Sequence, residues 1–204
     1  MKRFMRNILL LLVTVILPVS LQAEPVRYTA DKWHTRVYFS VSHMGLSNYG
    51  GRFIEQDISF VFDEDNLENS RVEVTIPVSS IDTYSPELNS KMGSDGFFDA
   101  ENYPMMHFIS REIVRTTESR AKMTGELTIR GVTRPITFDV IYNNKVMHPF
   151  FKLNNVGFSA TAKLDSRAYG VNSLPDWMVD STVDIRIEME AFEGEQVPYY
   201  ADDN

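Results

Sequence analysis

The stretch Arg36-Val37-Tyr38-Phe39-Ser40-Val41-Ser42-His43 alternates without a break. Val37, Phe39, Val41 and His43 fall on one side, and Arg36, Tyr38, Ser40 and Ser42 on the other. A period of two is that of a β-strand with one buried face, because successive side chains leave a pleated strand in opposite directions. Working outward, Ile58, Phe60 and Phe62 repeat the pattern, as do Val72, Val74, Ile76 and Val78. Further along come Leu127 and Ile129, then Ile136, Phe138, Val140 and Tyr142. Phe158, Ala160, Ala162 and Leu164 follow, and Val183, Ile185, Ile187 and Met189 close the series. Glu73, Asp139, Asp184, Arg186 and Glu188 take the opposite parity, as residues of a solvated face would. Asp63–Asn66, Gly131–Pro135 and Asn143–Asn144 have the composition of connectors. Strands with short, regular connections predict an antiparallel all-β sandwich or barrel.

One segment breaks the rhythm. Asp82–Phe98 shows no alternation, and Pro86–Met92 reads as a short helix with Pro86 in its first turn and Ser85 as its cap. No internal repeat or domain boundary interrupts the remainder. Tyr199–Asn204 reads as a frayed acidic tail.

The opening residues are of another kind. Lys2, Arg3 and Arg6 precede an apolar run from Ile8 to Val19, and Leu21-Gln22-Ala23 ends in a small residue. Residues 1–23 therefore read as a secretory signal peptide, with an apolar run too short to span a bilayer, and 24–204 as one domain. No cysteine lies near the cut, which excludes lipoprotein attachment. Removing the signal leaves 17 basic residues against 28 acidic ones, a net charge of −11. Such a surface repels nucleic acid and anionic lipid headgroups. Without any cysteine, disulfides, thiol catalysis and thiolate metal sites are excluded too. A chain of this length buries enough surface to fold without staples.

The inward parity is unusually aromatic: Phe39, Phe53, Phe60, Phe62, Phe97, Phe98, Phe108, Phe138 and Phe158 all qualify. Two sheets packed face to face would absorb these rings as a plain core. A closed barrel of about eight strands would instead leave room for one slender ligand. Both bury every second residue, so periodicity does not choose between them.

Several segments, in order, resemble the YceI-like family of periplasmic polyisoprenoid-binding proteins. Trp33–Gly45 is similar to the family's opening strand, with a His at each end of an alternating Val/Phe run, and Gly51-Arg52-Phe53 follows at the expected place. Ser79–Thr83 and Phe97–Pro104 resemble the segments entering and leaving the family's helix. Thr124–Phe138 is the most specific match, and Gly157–Ala160 with the last strand completes a resemblance spanning Tyr28 to Ala191. It implies an extended, lipocalin-like antiparallel β-barrel of about eight strands with one short helix. It also implies an apolar tunnel for a long-chain isoprenoid or similar amphiphilic lipid, with a quinone among the candidates and no other cofactor. The lining expected from the inward positions is Val37, Phe39, Val41, His43, Phe53, Phe60, Phe62, Val74, Ile76, Phe97, Phe98, Phe108, Leu127, Ile129, Phe138, Val140 and Phe158, with Trp177 either lidding the tunnel or simply packing. Two departures bear on the lipid's head: Lys91 stands where many members carry His, and Ser166 where many carry Arg, with Arg167 one step later.

Single residues add less. His43 continues the inward parity and has the chemistry to hold a polar head or to bond backbone carbonyls. His34, just before the strand, reads as fixing a turn, His107 as facing water, and His148 as isolated. Four scattered His have no metal-site spacing. Met92, Met105, Met106, Met123, Met147, Met178 and Met189 read as core or rim filler. No nucleophile stands beside a base, so the expectation is a binding protein and not an enzyme. The expected partners are an amphiphilic lipid and, in passing, a membrane, with a homodimer left open. The rival reading is a periplasmic stress-response or interaction protein with a filled core, and a lipid hydrolase comes third.

Overall fold

The structure, a computed structural model, describes residues 25–171 and 174–198. The signal-peptide reading and the acidic tail lie outside the described residues, as do Asn172 and Ser173.

The chain forms a closed eight-stranded antiparallel barrel, which decides between the two arrangements that periodicity left open. Three of its eight walls are each interrupted once. β1 (Val26–Ala30) and β2 (Arg36–His43) make the first, β3 (Ser47–Phe53) and β4 (Asp57–Phe62) the second, and β5 (Arg71–Pro77) and β6 (Ile81–Asp82) the third. β1 pairs with β4 and β2 with β3, while β4 pairs with β5 and β3 with β6. Long strands complete the meander: β7 (Met105–Thr117), β8 (Arg120–Ile129), β9 (Val132–Met147), β10 (Asn154–Asp165) and β11 (Val179–Glu193). β11 closes the ring against both halves of the first wall, meeting β2 through Val183–Glu188 and β1 through Ala191–Glu193. Among the described residues, closure leaves no long unpaired edge.

The ends of the barrel differ. At one, termed the helical end, lie the β2–β3 turn, α1 (Pro86–Met92), the β8–β9 turn and residues 166–171 and 174–178. At the other, the loop end, lie residues 63–70, the β7–β8 turn and residues 148–153. α1 starts as its sequence predicts: Ser85 Oγ accepts the Leu88 N–H at 3.3 Å, and Pro86 occupies the first turn.

Two connections differ from the sequence expectation. The β8–β9 turn is only Arg130-Gly131, both at positive φ (50° and 72°), so Val132–Pro135 belongs to β9. A two-residue hairpin turn of this hand matches the strand twist, which is why so short a link suffices. Asn143 and Asn144 are likewise not a connector but part of β9, which runs on to Met147. β1, β3 and β7 were not legible as strands. In β7 a register shift between Ser110 and Glu112 breaks the alternation. Met106 and Phe108 face inward before it, and Ile113 and Arg115 reach the interior after it.

Candidate functional site

The inner residues do not meet in the middle. They surround a cavity of about 1140 Å³ that runs from the helical end to the loop end. That exceeds the roughly 300–1,000 Å³ usual for a small-molecule pocket. The inward side chains of the long strands line it, and they are mostly apolar. Val74, Ile185, Ile187 and Met189 are only half-buried although they sit inside the wall, because their free faces look into the hollow.

Rings pack as pairs against the wall. Phe108 and Phe138 meet edge to face at 5.3 Å, and Phe158 meets Phe62 the same way at 5.4 Å. Phe53 bridges Phe39 (5.6 Å) and Phe98 (6.2 Å) near the helical end. Edge-to-face contacts fix the ring planes. Glycine makes room where a ring lies over the sheet. A Cβ on Gly125 would meet the Ile109 carbonyl oxygen and lie 2.5 Å from a Phe108 ring carbon.

The structure brings seventeen of the expected lining residues to this cavity: Val37, Phe39, Val41, His43, Phe53, Phe60, Phe62, Val74, Ile76, Phe97, Phe98, Phe108, Leu127, Ile129, Phe138, Val140 and Phe158. Trp177 is the exception. It is 66% exposed and does not border the cavity. The reason is local: Met178 and Val179 both donate to the Pro175 carbonyl, a tight turn that faces Trp177 outward. His43 lies at the helical mouth, exposed but bordering the cavity. Met147, read as filler, is 57% exposed on the β9–β10 hairpin. His148 is not isolated: its ring stacks on Phe151 at 4.6 Å and meets Phe192 at 5.3 Å.

The loop end of the cavity is polar, which the sequence did not signal. Glu64 Oε2 lies 3.0 Å from Lys145 Nζ, and Glu64 Oε1 accepts from the Tyr142 hydroxyl at 3.3 Å. Arg115 donates to the Glu64 carbonyl at 2.5 Å. All four residues border the cavity, with Ser119 and Arg120 beside them. Burial, helped by the Glu64 carboxylate, pushes the Tyr142 hydroxyl up to about 12. The hydrogen bond to Glu64 raises Lys145 above its ordinary value. These residues come from the far end of β7, the 63–70 loop and the extended part of β9. Their meeting depends on the β7 register shift and on β9 continuing through Asn143-Asn144.

The two family departures separate here. Lys91 borders the cavity with its Nζ 5.7 Å from the Phe97 ring centre. Ser166 is buried at the cavity wall and donates to the Ser181 carbonyl at 3.0 Å. Arg167 is turned aside, to Asp176 and the Leu174 carbonyl.

A second polar cluster sits outside the barrel, where the first wall breaks. Asp31 is buried; its Oδ1 accepts the Trp33 N–H at 2.8 Å and its Oδ2 lies 2.5 Å from His34 Nδ1. The hydrogen bond to Asp31 raises the His34 pKa. His34 thus anchors the turn between β1 and β2, and the Glu190 carboxylate lies within 4.8 Å. His107, as expected, faces outward and meets Thr75 Oγ1 at 3.2 Å.

Among the described residues no helix is long and apolar enough to cross a membrane. The family model of the YceI-like domain matches residues 28–191. A UPF0312 protein of Pseudomonas putida (strain W619) is 31% identical over 171 residues, covering 83% of this chain and 88% of that protein. The crystal structure of a Campylobacter jejuni YCEI protein superposes with a TM-score of 0.70 at 28% identity, covering 76% of this chain and 90% of that one. A polyisoprenoid binding domain from Saccharophagus degradans, implicated in plant cell wall breakdown, has the same fold. Its TM-score is 0.61 at 14% identity, over 83% of this chain and 99% of that one.

Proposed function

The chain belongs to the YceI-like family, and from that premise we propose that it is a periplasmic carrier or store for a long-chain isoprenoid or similar amphiphilic lipid, a quinone among the candidates. The observation that carries this reading is the apolar hollow running through the barrel. The name of the Saccharophagus domain, a polyisoprenoid binder, supports the same class of ligand. The single domain 24–204 behind a cleaved signal, 1–23, belongs to this proposal.

The energetics suit exchange. Measured from water, a prenyl chain would gain about 0.8 kcal/mol per CH₂, and tens of carbons would pass the ceiling of roughly 18–21 kcal/mol for real complexes. The lipid starts in a bilayer, however, where its tail is already dry. Transfer into the barrel is then nearly balanced, and loading and release both run. Shape along the ring-lined channel selects the tail, and the Glu64–Lys145–Tyr142–Arg115 end offers the polar groups for a head. The role is binding and not catalysis, and an esterase screen of the purified protein is expected to be negative.

A filled core would have favoured the rival stress-response or interaction role, and the hollow interior speaks for the carrier. Freshly purified protein, extracted with organic solvent and analysed by mass spectrometry, is expected to yield a stoichiometric isoprenoid lipid. Extracts empty of lipid, together with failure of the stripped protein to take up geranylgeraniol, would refute the proposal.

A further inference from the structure

We infer that the helical end of the barrel is a membrane-docking face, on which a rim of exposed apolar side chains seats the cavity mouth on a lipid surface. The inference rests on the carrier reading and adds which mouth meets the bilayer and through which residues.

Large apolar residues collect at this mouth from three separate loops. Leu46 is 79% exposed and Met44 lies beside it in the β2–β3 turn; Tyr84 is 71% exposed before α1; and Trp177 stands in the 175–178 turn. Each is one residue away from a side chain that borders the cavity: His43 and Ser47, Thr83, and Met178. The loops are tied together. Met44 N–H donates to the Met178 carbonyl at 2.9 Å, and the Tyr49 hydroxyl donates to the Thr83 carbonyl at 2.7 Å. The exposed patch is therefore continuous with the apolar interior, and not a scatter of single surface residues.

Two further observations point the same way. Met44 and Tyr84 both hold positive φ, 54° and 61°. A bulky side chain rarely sits there, and the surrounding loops must hold the strained backbone in place. The charges near the rim are of both signs: Arg52 pairs with Asp82 at 3.0 Å and Arg167 with Asp176, while Lys91 and Asp180 border the mouth. An apolar rim with Trp and Tyr at its edge and charges of both signs matches the headgroup region of a zwitterionic bilayer, where amphipathic rings settle. Among the described residues it has no cluster of cations to hold an anionic surface.

The loop end also exposes apolar side chains, Phe150 at 83%, Met147 at 57% and Val146 at 46%, but they stand on one β9–β10 hairpin that folds against the outer wall, beside a charged mouth. His148 and Phe151 in that hairpin pack on Phe192, which faces away from the cavity. The mouth itself carries Glu64, Arg115 and Lys145. A lipid entering through the helical end would leave its tail nearest the membrane and bring its head toward that polar end.

The chain contains no cysteine, so a single one reports on its own surroundings. Leu46→Cys and Phe150→Cys, each carrying an environment-sensitive nitrobenzoxadiazole label, are mixed with phosphatidylcholine vesicles. The expected result is a blue shift and brightening at residue 46 and none at residue 150, insensitive to salt. In the unlabelled chain, Leu46→Ser with Trp177→Ser should lower the vesicle partition coefficient by at least about tenfold. Silence at residue 46, or an equal response at both ends, overturns the inference, and a surface for a protein partner would give that silence. Uptake of N-phenyl-1-naphthylamine without vesicles tests the cavity separately. Uptake with silence at residue 46 defeats docking alone; no uptake defeats the carrier reading on which docking rests.

Discussion

Ile187→Trp tests the hollow interior directly. Ile187 lies midway along β11, opposite Ala160 on β10 and Val37 on β2, with its side chain inside the barrel. It is half-buried there because one face borders the cavity. In a filled core the larger indole would force neighbours off their rotamers, at about 1–3 kcal/mol. Here it grows into open space and buries apolar surface worth about 1.5–3 kcal/mol. The two effects nearly cancel, so the net change should stay within about 2 kcal/mol in either direction. For a chain of this size that is a Tm shift of no more than roughly 8 °C. The same indole narrows the channel at its middle. Geranylgeraniol must thread past it, whereas geraniol fits on one side. A clash of about 1–3 kcal/mol weakens binding about five- to 150-fold. Displacement of N-phenyl-1-naphthylamine fluorescence measures both alcohols: the longer should lose affinity and the shorter keep it. A Tm lowered far beyond that range would show that the barrel is packed at this level. A stable variant binding geranylgeraniol as tightly as before would show that the ligand does not pass here.

Three other outcomes follow from the geometry. Gly125→Ala places a methyl group against the Ile109 carbonyl and the Phe108 ring; it should cost about 1–3 kcal/mol or more, read as a lower urea midpoint. Hydrogen bonding to Asp31 raises the folded pKa of His34, so its stabilisation is complete below the unfolded value of about 6.5 and fades as pH rises through the folded pKa; thermal melts of His34→Gln should lack that part of the slope, and an identical slope would count against the pair. Tyr142 is pushed up to about 12 by burial, so its contribution is whole below about 10 and is lost as pH climbs through the folded value; Tyr142→Phe should shift the alkaline unfolding limb, and a tyrosinate signal rising fully near pH 10 would contradict the placement of Glu64 beside it.

The sequence by itself determined the all-β class, most of the walls and the helix. Alternation in Arg36–His43 and its successors is a local consequence of the pleat, and a Ser-Pro start marks a helix without any tertiary help. Seventeen of the inward positions it marks border the cavity, since inward parity is the same whether the interior is filled or hollow. For that reason it was silent on the hollow itself. Whether opposing rings touch depends on the number of strands and on their closure, which β11 achieves by pairing with both β1 and β2. The polar end escaped notice because Glu64, Arg115 and Lys145 are far apart in sequence, and only the irregular register of β7 aims Arg115 at the cavity. The direction of Trp177 was open for a related reason: a turn closed on the Pro175 carbonyl sets it, and no hydrophobic pattern encodes that. Parity is written residue by residue; enclosure, and which distant side chains share a mouth, exist only once the ring has closed.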